Sequence, residues 1–184
     1  MITAGIFILT LILILVLLCL WYLLDAVSCE EDYATNENTT KKIGQFINAQ
    51  HPKNNILYDL GSGRGSFALN ISELCPQLRV TGIDNSLLRI LISRLRVLLG
   101  NKRVRFVKKD IFATDTSRPD LIYVYIPRIL LPKLAEKLAR ELRPGAAVIT
   151  SRIFFPDWQP HETILKEPGK NEEDIFIYKY PFLR

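Results

Sequence analysis

Hydrophobic positions change their rhythm along this chain. From Ile2 to Leu24, ITAGIFILTLILILVLLCLWYLL, 23 residues run without a charge. As a helix rising ~1.5 Å per residue they reach ~35 Å, long enough to cross a bilayer. Past residue 40 short apolar runs alternate with amphipathic segments. A helix opening at Thr39 and Thr40 places Ile43, Phe46 and Ile47 on one face and stops at HPKN (His51 to Asn54). ILYDL (Ile56 to Leu60) reads as a buried strand, the glycines after it as a turn, and SFALNISELC as a helix stopped by Pro76. RVTGID (Arg79 to Asp84) is a second strand, and SLLRILISRLRVLLG a helix between a Ser86 cap and Gly100. VRFVKKD is a third strand and DLIYVYIP (Asp120 to Pro127) a fourth, with little room for a helix between them. LPKLAEKLAREL is an amphipathic helix and AAVITSRIF a fifth strand. ETILKE and DIFIYKY, joined by the turn-rich PGKNEE, form a terminal hairpin. Strands separated by helices imply an α/β domain with a parallel sheet covered on both faces.

This pattern divides the chain into a transmembrane helix (2–24), an acidic linker (25–40) and one domain (41–184). Charge sharpens the division. All 24 Lys and Arg residues lie at or beyond Lys41, giving the third part +10, whereas the linker carries −5. No Lys or Arg precedes the apolar run, which argues against a cleaved signal peptide. AVSC (Ala26 to Cys29) leaves a lipoprotein cleavage site as a minor alternative. Lys41 and Lys42, close behind the span, favour a single-pass membrane protein with its domain on the cytoplasmic side. A basic domain suits anionic lipid, nucleic acid or an acidic protein surface as well as plain solubility. Cys29 and Cys75 lack metal-ligand spacing, so no metal site is expected.

In doubly wound sheets ligands lie at the carboxyl ends of the strands. Asp59, Asp84 and Asp110 stand at three successive strand ends, and Tyr125-Ile126-Pro127 at a fourth. Between the first strand and its helix come Gly61, Ser62, Gly63 and Gly65, with Ser66 where a dinucleotide fingerprint has its third glycine. No P-loop lysine follows. Bare glycines admit close backbone approach, and such a loop can cradle a phosphate, a nucleoside or nothing. Taken singly, such a loop is also an ordinary tight turn, and an aspartate after a strand an ordinary cap.

The GxGxG loop led by Asp59, with Asp84 and Asp110 behind it and a terminal hairpin, resembles the class I, seven-stranded, Rossmann-like fold of S-adenosylmethionine (SAM) dependent methyltransferases. SRIFFPDWQPHE (Ser151 to Glu162), together with DLGSGRG and GIDNS, resembles the ATP synthase c-subunit lysine methyltransferase family and its prokaryotic relatives. The resemblance runs from about Ile43 to Trp158. Arg64, Asp84, Ile153 and Phe154 depart from the family's usual residues. It implies that SAM is the methyl donor and that Asp59, Gly61, Ser62, Gly63, Gly65, Asp84, Asn85, Asp110 and Ile111 hold it. Methyl transfer to a lysine of a protein in or near the membrane follows, with Tyr123, Tyr125, Phe155 and Trp158 as candidate walls of a substrate channel. Phe155 and Trp158 serve equally well as core residues under the hairpin. No catalytic base is named, and His51 and His161 are expected at the surface. The rivals are methylation of RNA, suggested by the basic residues between Arg89 and Lys109, methylation of a small molecule, and a membrane module that binds SAM or a partner without turnover.

Overall fold

The computed structural model describes residues 2–27, 35–50, 56–100 and 102–182. They fall into two compact units, Met1–Tyr33 and Ala34–Arg184. In the first, helix α1 (Ile2–Val27) runs three residues past the expected end, because Asp25-Ala26-Val27 ends the apolar run without breaking a helix. Gly5–Leu23 is long and apolar enough to cross a membrane, and its large apolar side chains, such as Phe7 and Leu17, are exposed. Cys29, His51 and the HPKN stop lie outside the described residues.

The second unit starts with helix α2 (Glu37–Gln50), ahead of the expected start at Thr39. The reason is local. Asn36 Oδ1 accepts the Asn38 N–H at 2.8 Å and its carbonyl accepts the Thr40 N–H at 2.9 Å, which makes Asn36 the cap and leaves both threonines inside, fully buried. There follow β1 (Ile56–Leu60), α3 (Ser66–Leu74), β2 (Arg79–Asp84), α4 (Leu87–Gly100), β3 (Val104–Lys108), β4 (Leu121–Val124), α5 (Leu131–Glu141), β5 (Ala147–Ser151), β6 (Glu162–Ile164) and β7 (Ile175–Lys179). A single 3-10 turn, Ile111–Ala113, is the regular element in the link between β3 and β4. β6 is shorter than ETILKE, because past Ile164 the chain leaves β7 and the Lys166 N–H turns to Asp174 Oδ1.

The seven strands form one mixed sheet in the order β3-β2-β1-β4-β5-β7-β6. β1 to β5 are parallel, and β7 lies antiparallel between β5 and β6. Strand order reverses between β1 and β4, so the crevice of a doubly wound sheet opens at their carboxyl ends. Both faces are covered. β4 shows how: Leu121 and Tyr123 join the core that also holds Ile43, Phe67 and Ile90, while Ile122 and Val124 point into the core shared with Leu134 and Leu138 of α5. This period of two is the pleat of a strand buried on both sides.

Candidate functional site

The loop after β1 hangs from the end of β2. Gly61 and Ser62 donate their N–H groups to the Ile83 carbonyl at 2.9 and 3.0 Å, and Gly63 donates to Asp84 Oδ2 at 2.9 Å. Asp84 Oδ1 accepts the Ser86 N–H at 2.8 Å, so one carboxylate ties the loop to the start of α4. Gly61, Gly63 and Gly65 have φ of 81°, 54° and 79°, the left-handed region that side chains resist. Gly65 has a second reason: a Cβ there would stand 2.4 Å from Cζ of Phe106. The same ring would meet a Cβ on Gly82 at 2.3 Å, so Phe106 of β3 is wedged under the loop through two glycines. Packing therefore dictates Gly65 and Gly82, and Gly82 stood in the second strand without any signal of its own.

Asp59, at the end of β1, is 2 % exposed and its Oδ2 has no hydrogen-bond partner. Burial, followed by the charge of Asp84, pushes its carboxyl up to about 8, against a backbone hydrogen bond from Ala68 that favours the anion. Ser62 Oγ is likewise buried without a partner. Two orphaned acceptors this close to a glycine loop fit a ligand that brings N–H or O–H donors. Asp110, exposed after β3, accepts the Phe112 N–H at 2.8 Å and caps the 3-10 turn, with Ile111 half-buried beside it. Asn85 is exposed between Asp84 and Ser86. Leu60 lies opposite Ile83 and Asp84 opposite Lys108, so the three aspartates stand at the ends of three neighbouring strands on one rim.

The aromatic candidates divide. Tyr123 is 1 % exposed and stacks on Phe67 with ring centroids 3.6 Å apart; its hydroxyl lies 2.6 Å from both Thr35 Oγ1 and Ser151 Oγ. Its side chain is a buried post between the two hydroxyls. Phe155 and Trp158 are also buried, their centroids 4.2 Å apart, in a cluster with Tyr178 and Phe182 under the hairpin. Of the four, only Tyr125 is partly exposed. Its carbonyl borders Gly61, and its hydroxyl donates to Glu173 Oε1 at 3.4 Å. Burial raises the Tyr125 phenol, which a hydrogen bond with Arg152 partly offsets. Arg152 sits at φ 62°, a strained conformation for a side chain of its size, and its N–H donates to the Asp174 carbonyl. Glu173 Oε2 is buried without a partner. Sequence reasoning missed Glu173, which lies in a stretch that reads only as a hairpin turn. His161 is exposed, as expected.

A family model, the ANTKMT methyltransferase domain, matches residues 59–162, which contain this whole rim except Glu173. The chain belongs to that family. It is therefore a methyltransferase, and its methyl donor is SAM. Among similar proteins, a protein-lysine N-methyltransferase of Saccharolobus islandicus (strain REY15A) is 26% identical over 137 residues, 71% of this chain and 82% of that one. An ATP synthase c-subunit lysine N-methyltransferase of Caenorhabditis elegans is 25% identical over 148 residues, 77% of this chain and 74% of that one. Among solved structures, an RNA methyltransferase from Salinibacter ruber in complex with S-adenosyl-L-homocysteine superposes with a TM-score of 0.70 at 21% identity, covering 80% of this chain and 93% of that one. That likeness speaks for the methyltransferase's fold alone.

Proposed function

We propose that this methyltransferase is a single-pass membrane protein that transfers a methyl group from SAM to a lysine of a protein in or beside the bilayer. The observation that carries the lysine reading is the pair at the end of β4: Tyr125, partly exposed, and Glu173, whose Oε2 is buried and unpartnered. A buried carboxylate oxygen without a donor draws in a cation with N–H groups, and a lysine ammonium is that kind of group. The names of the relatives from Saccharolobus islandicus and Caenorhabditis elegans support the same class of acceptor.

On the donor side, Asp59 would take the ammonium of the methionine part, Asp84 the ribose hydroxyls, and Asp110 with Asn85 and Ile111 the base, while Gly61, Ser62, Gly63 and Gly65 let the main chain lie close. When bound, SAM supplies an electrophilic methyl on a good leaving group. What is left to the protein is to hold the amine in line and to remove water from it, a proximity effect worth several kcal/mol. A free lysine amine has a pKa of ~10.4, and the ammonium drawn in by Glu173 must give up a proton, to Glu173 Oε2 or to water, before its nitrogen is nucleophilic; burial beside Tyr125 favours that neutral form.

The exposed apolar face of α1 serves as the anchor, with the acidic stretch 25–40 as linker and residues 41–184, reaching back to Thr35, as the catalytic domain on the cytoplasmic side. To test the acceptor, the full chain in membranes is given methyl-labelled SAM and the products are hydrolysed. Label recovered as methyl-lysine supports the reading; label in RNA or lipid alone refutes it. For the anchor, the chain should stay in the membrane pellet through alkaline extraction, and its release would rule the span out.

A further inference from the structure

Helix α4 carries an apolar line of exposed side chains outside its core-facing side. Its buried positions are Ile90 and Ser93, with Val97 half-buried on the same core. The leucines at 87, 91, 95 and 98 form a separate line at steps of four, four and three, and are 43, 48, 55 and 77 % exposed. Such a stripe on a surface helix costs solubility unless something covers it.

The charge around it says what. Between Leu87 and Lys109 there are eight Lys and Arg residues and not one Asp or Glu. Arg94 donates Nε and Nη2 to the Phe106 carbonyl, and Arg96 donates Nη1 to the Arg64 carbonyl, bonds that position the guanidinium groups and leave their charge in place. Arg103 and Arg105 are exposed at β3, the edge strand beside α4. Lys102 meets a carboxylate, that of Glu73.

We propose that the α4 face, with Arg103 and Arg105 of β3, docks the domain flat onto an anionic lipid surface. Exposed leucines beside the exposed guanidinium groups of Arg94, Arg96, Arg103 and Arg105 are the composition of a helix lying in the headgroup region, with leucines in the acyl boundary and basic residues at the phosphates. A nucleic acid would use the cations and leave the leucines in water. A second copy of the face would bring like charges together. The stripe begins at Leu87, directly after the Asp84–Ser86 turn, so a docked α4 brings the site's rim to the bilayer surface. This inference depends on neither the lysine reading nor the span.

The test uses the full chain carrying Cys19→Ser and Cys29→Ser, with Leu95→Cys labelled by an environment-sensitive fluorophore. The protein is placed in vesicles of phosphatidylcholine alone or with about 30 mol % phosphatidylglycerol, both doped with a spin-labelled quencher lipid. The expected result is quenching in the anionic vesicles only, reversed by high salt, because surface attraction is screened within a Debye length. Arg103→Gln with Arg105→Gln should lower the docked-to-undocked ratio about 25-fold, at about fivefold per cation. Quenching in neither vesicle, or equally in both, overturns the proposal. So does a change in the label that RNA produces and anionic vesicles do not, or cross-linking between labelled copies in neutral vesicles.

Discussion

At the amino ends of β1 and β4, Asp120 Oδ2 accepts the Ile56 N–H at 2.8 Å, Oδ1 pairs with Arg143, and the Asp120 main chain is bonded to Ile56 and Ala147. At the carboxyl end of β1, Asp59 is buried more deeply and Oδ2 has no partner. Among the described residues, Ser62 Oγ and Glu173 Oε2 share that condition, and both lie on the same rim as Asp59. One end of the sheet thus satisfies its polar groups internally, as buried groups generally do, and the other leaves acceptors to be met from outside. The same fold holds both, in Asp59 and Asp120, two aspartates at opposite ends of neighbouring strands.

Substitutions sort along this contrast. The largest loss is expected at Gly65→Val, where a branched side chain meets both a left-handed backbone and the Phe106 ring: the domain should lose several kcal/mol and unfold well below its normal Tm by circular dichroism. Next comes Asp84→Ala, which frees the Gly63 and Ser86 N–H groups; SAM affinity should fall at least about 100-fold in calorimetry, and stability by about 2 kcal/mol. Asp120→Ala should cost stability on a similar scale, about 1–3 kcal/mol, and leave SAM affinity alone. If Asp120→Ala weakens SAM binding as much as Asp84→Ala does, the two ends are not distinct.

Tyr123→Phe sits between the two behaviours. It removes the hydroxyl that joins Thr35 to Ser151 and should cost about 1–3 kcal/mol in urea unfolding without touching methyl transfer directly. The smallest structural effect belongs to Glu173→Gln, whose Tm should hardly move. Its methyl transfer to a lysine acceptor should drop about tenfold with SAM affinity kept, and an unchanged rate would remove Glu173 from the acceptor side.

Most of the sheet was legible in the sequence because its strands are short apolar runs bounded by glycine, proline or a capping residue. The three aspartates were legible because a doubly wound sheet puts chemistry at strand ends. What stayed hidden has physical reasons. Tyr123 and Tyr125 both belong to YVY, and the pleat sends Tyr123 into the core, whereas Tyr125 follows the strand and turns to the rim. Aromatic composition carries no such information. Phe155 and Trp158 follow β5 in a motif that suits a channel as well as a core, and the sequence carries nothing of their packing against Tyr178 and Phe182. Glu173 reaches the site only because β7 pairs antiparallel with β5, and the residue before β7 is thereby brought to the end where Ser151 stands. Helix α2 starts ahead of Thr39 because Asn36, not a threonine, takes the cap.

Asp59 allows the central claim to be tested by sign. Its carboxyl is raised to about 8 in the folded chain, so the stability tied to its proton is fully present below the unfolded value of ~3.9 and is lost as pH rises through 8. Binding a cationic ligand there requires the anion, so uptake of SAM below pH 8 should release a proton. Calorimetric titration of the full chain with SAM at several pH values is the direct measurement. Affinity should rise by up to about tenfold per unit towards pH 8 in the natural chain. Asp59→Asn should bind SAM far more weakly and without that slope, while its ligand-free form becomes the more stable of the two at pH 8. Equal affinity in the two proteins, with the same pH dependence, would contradict the account.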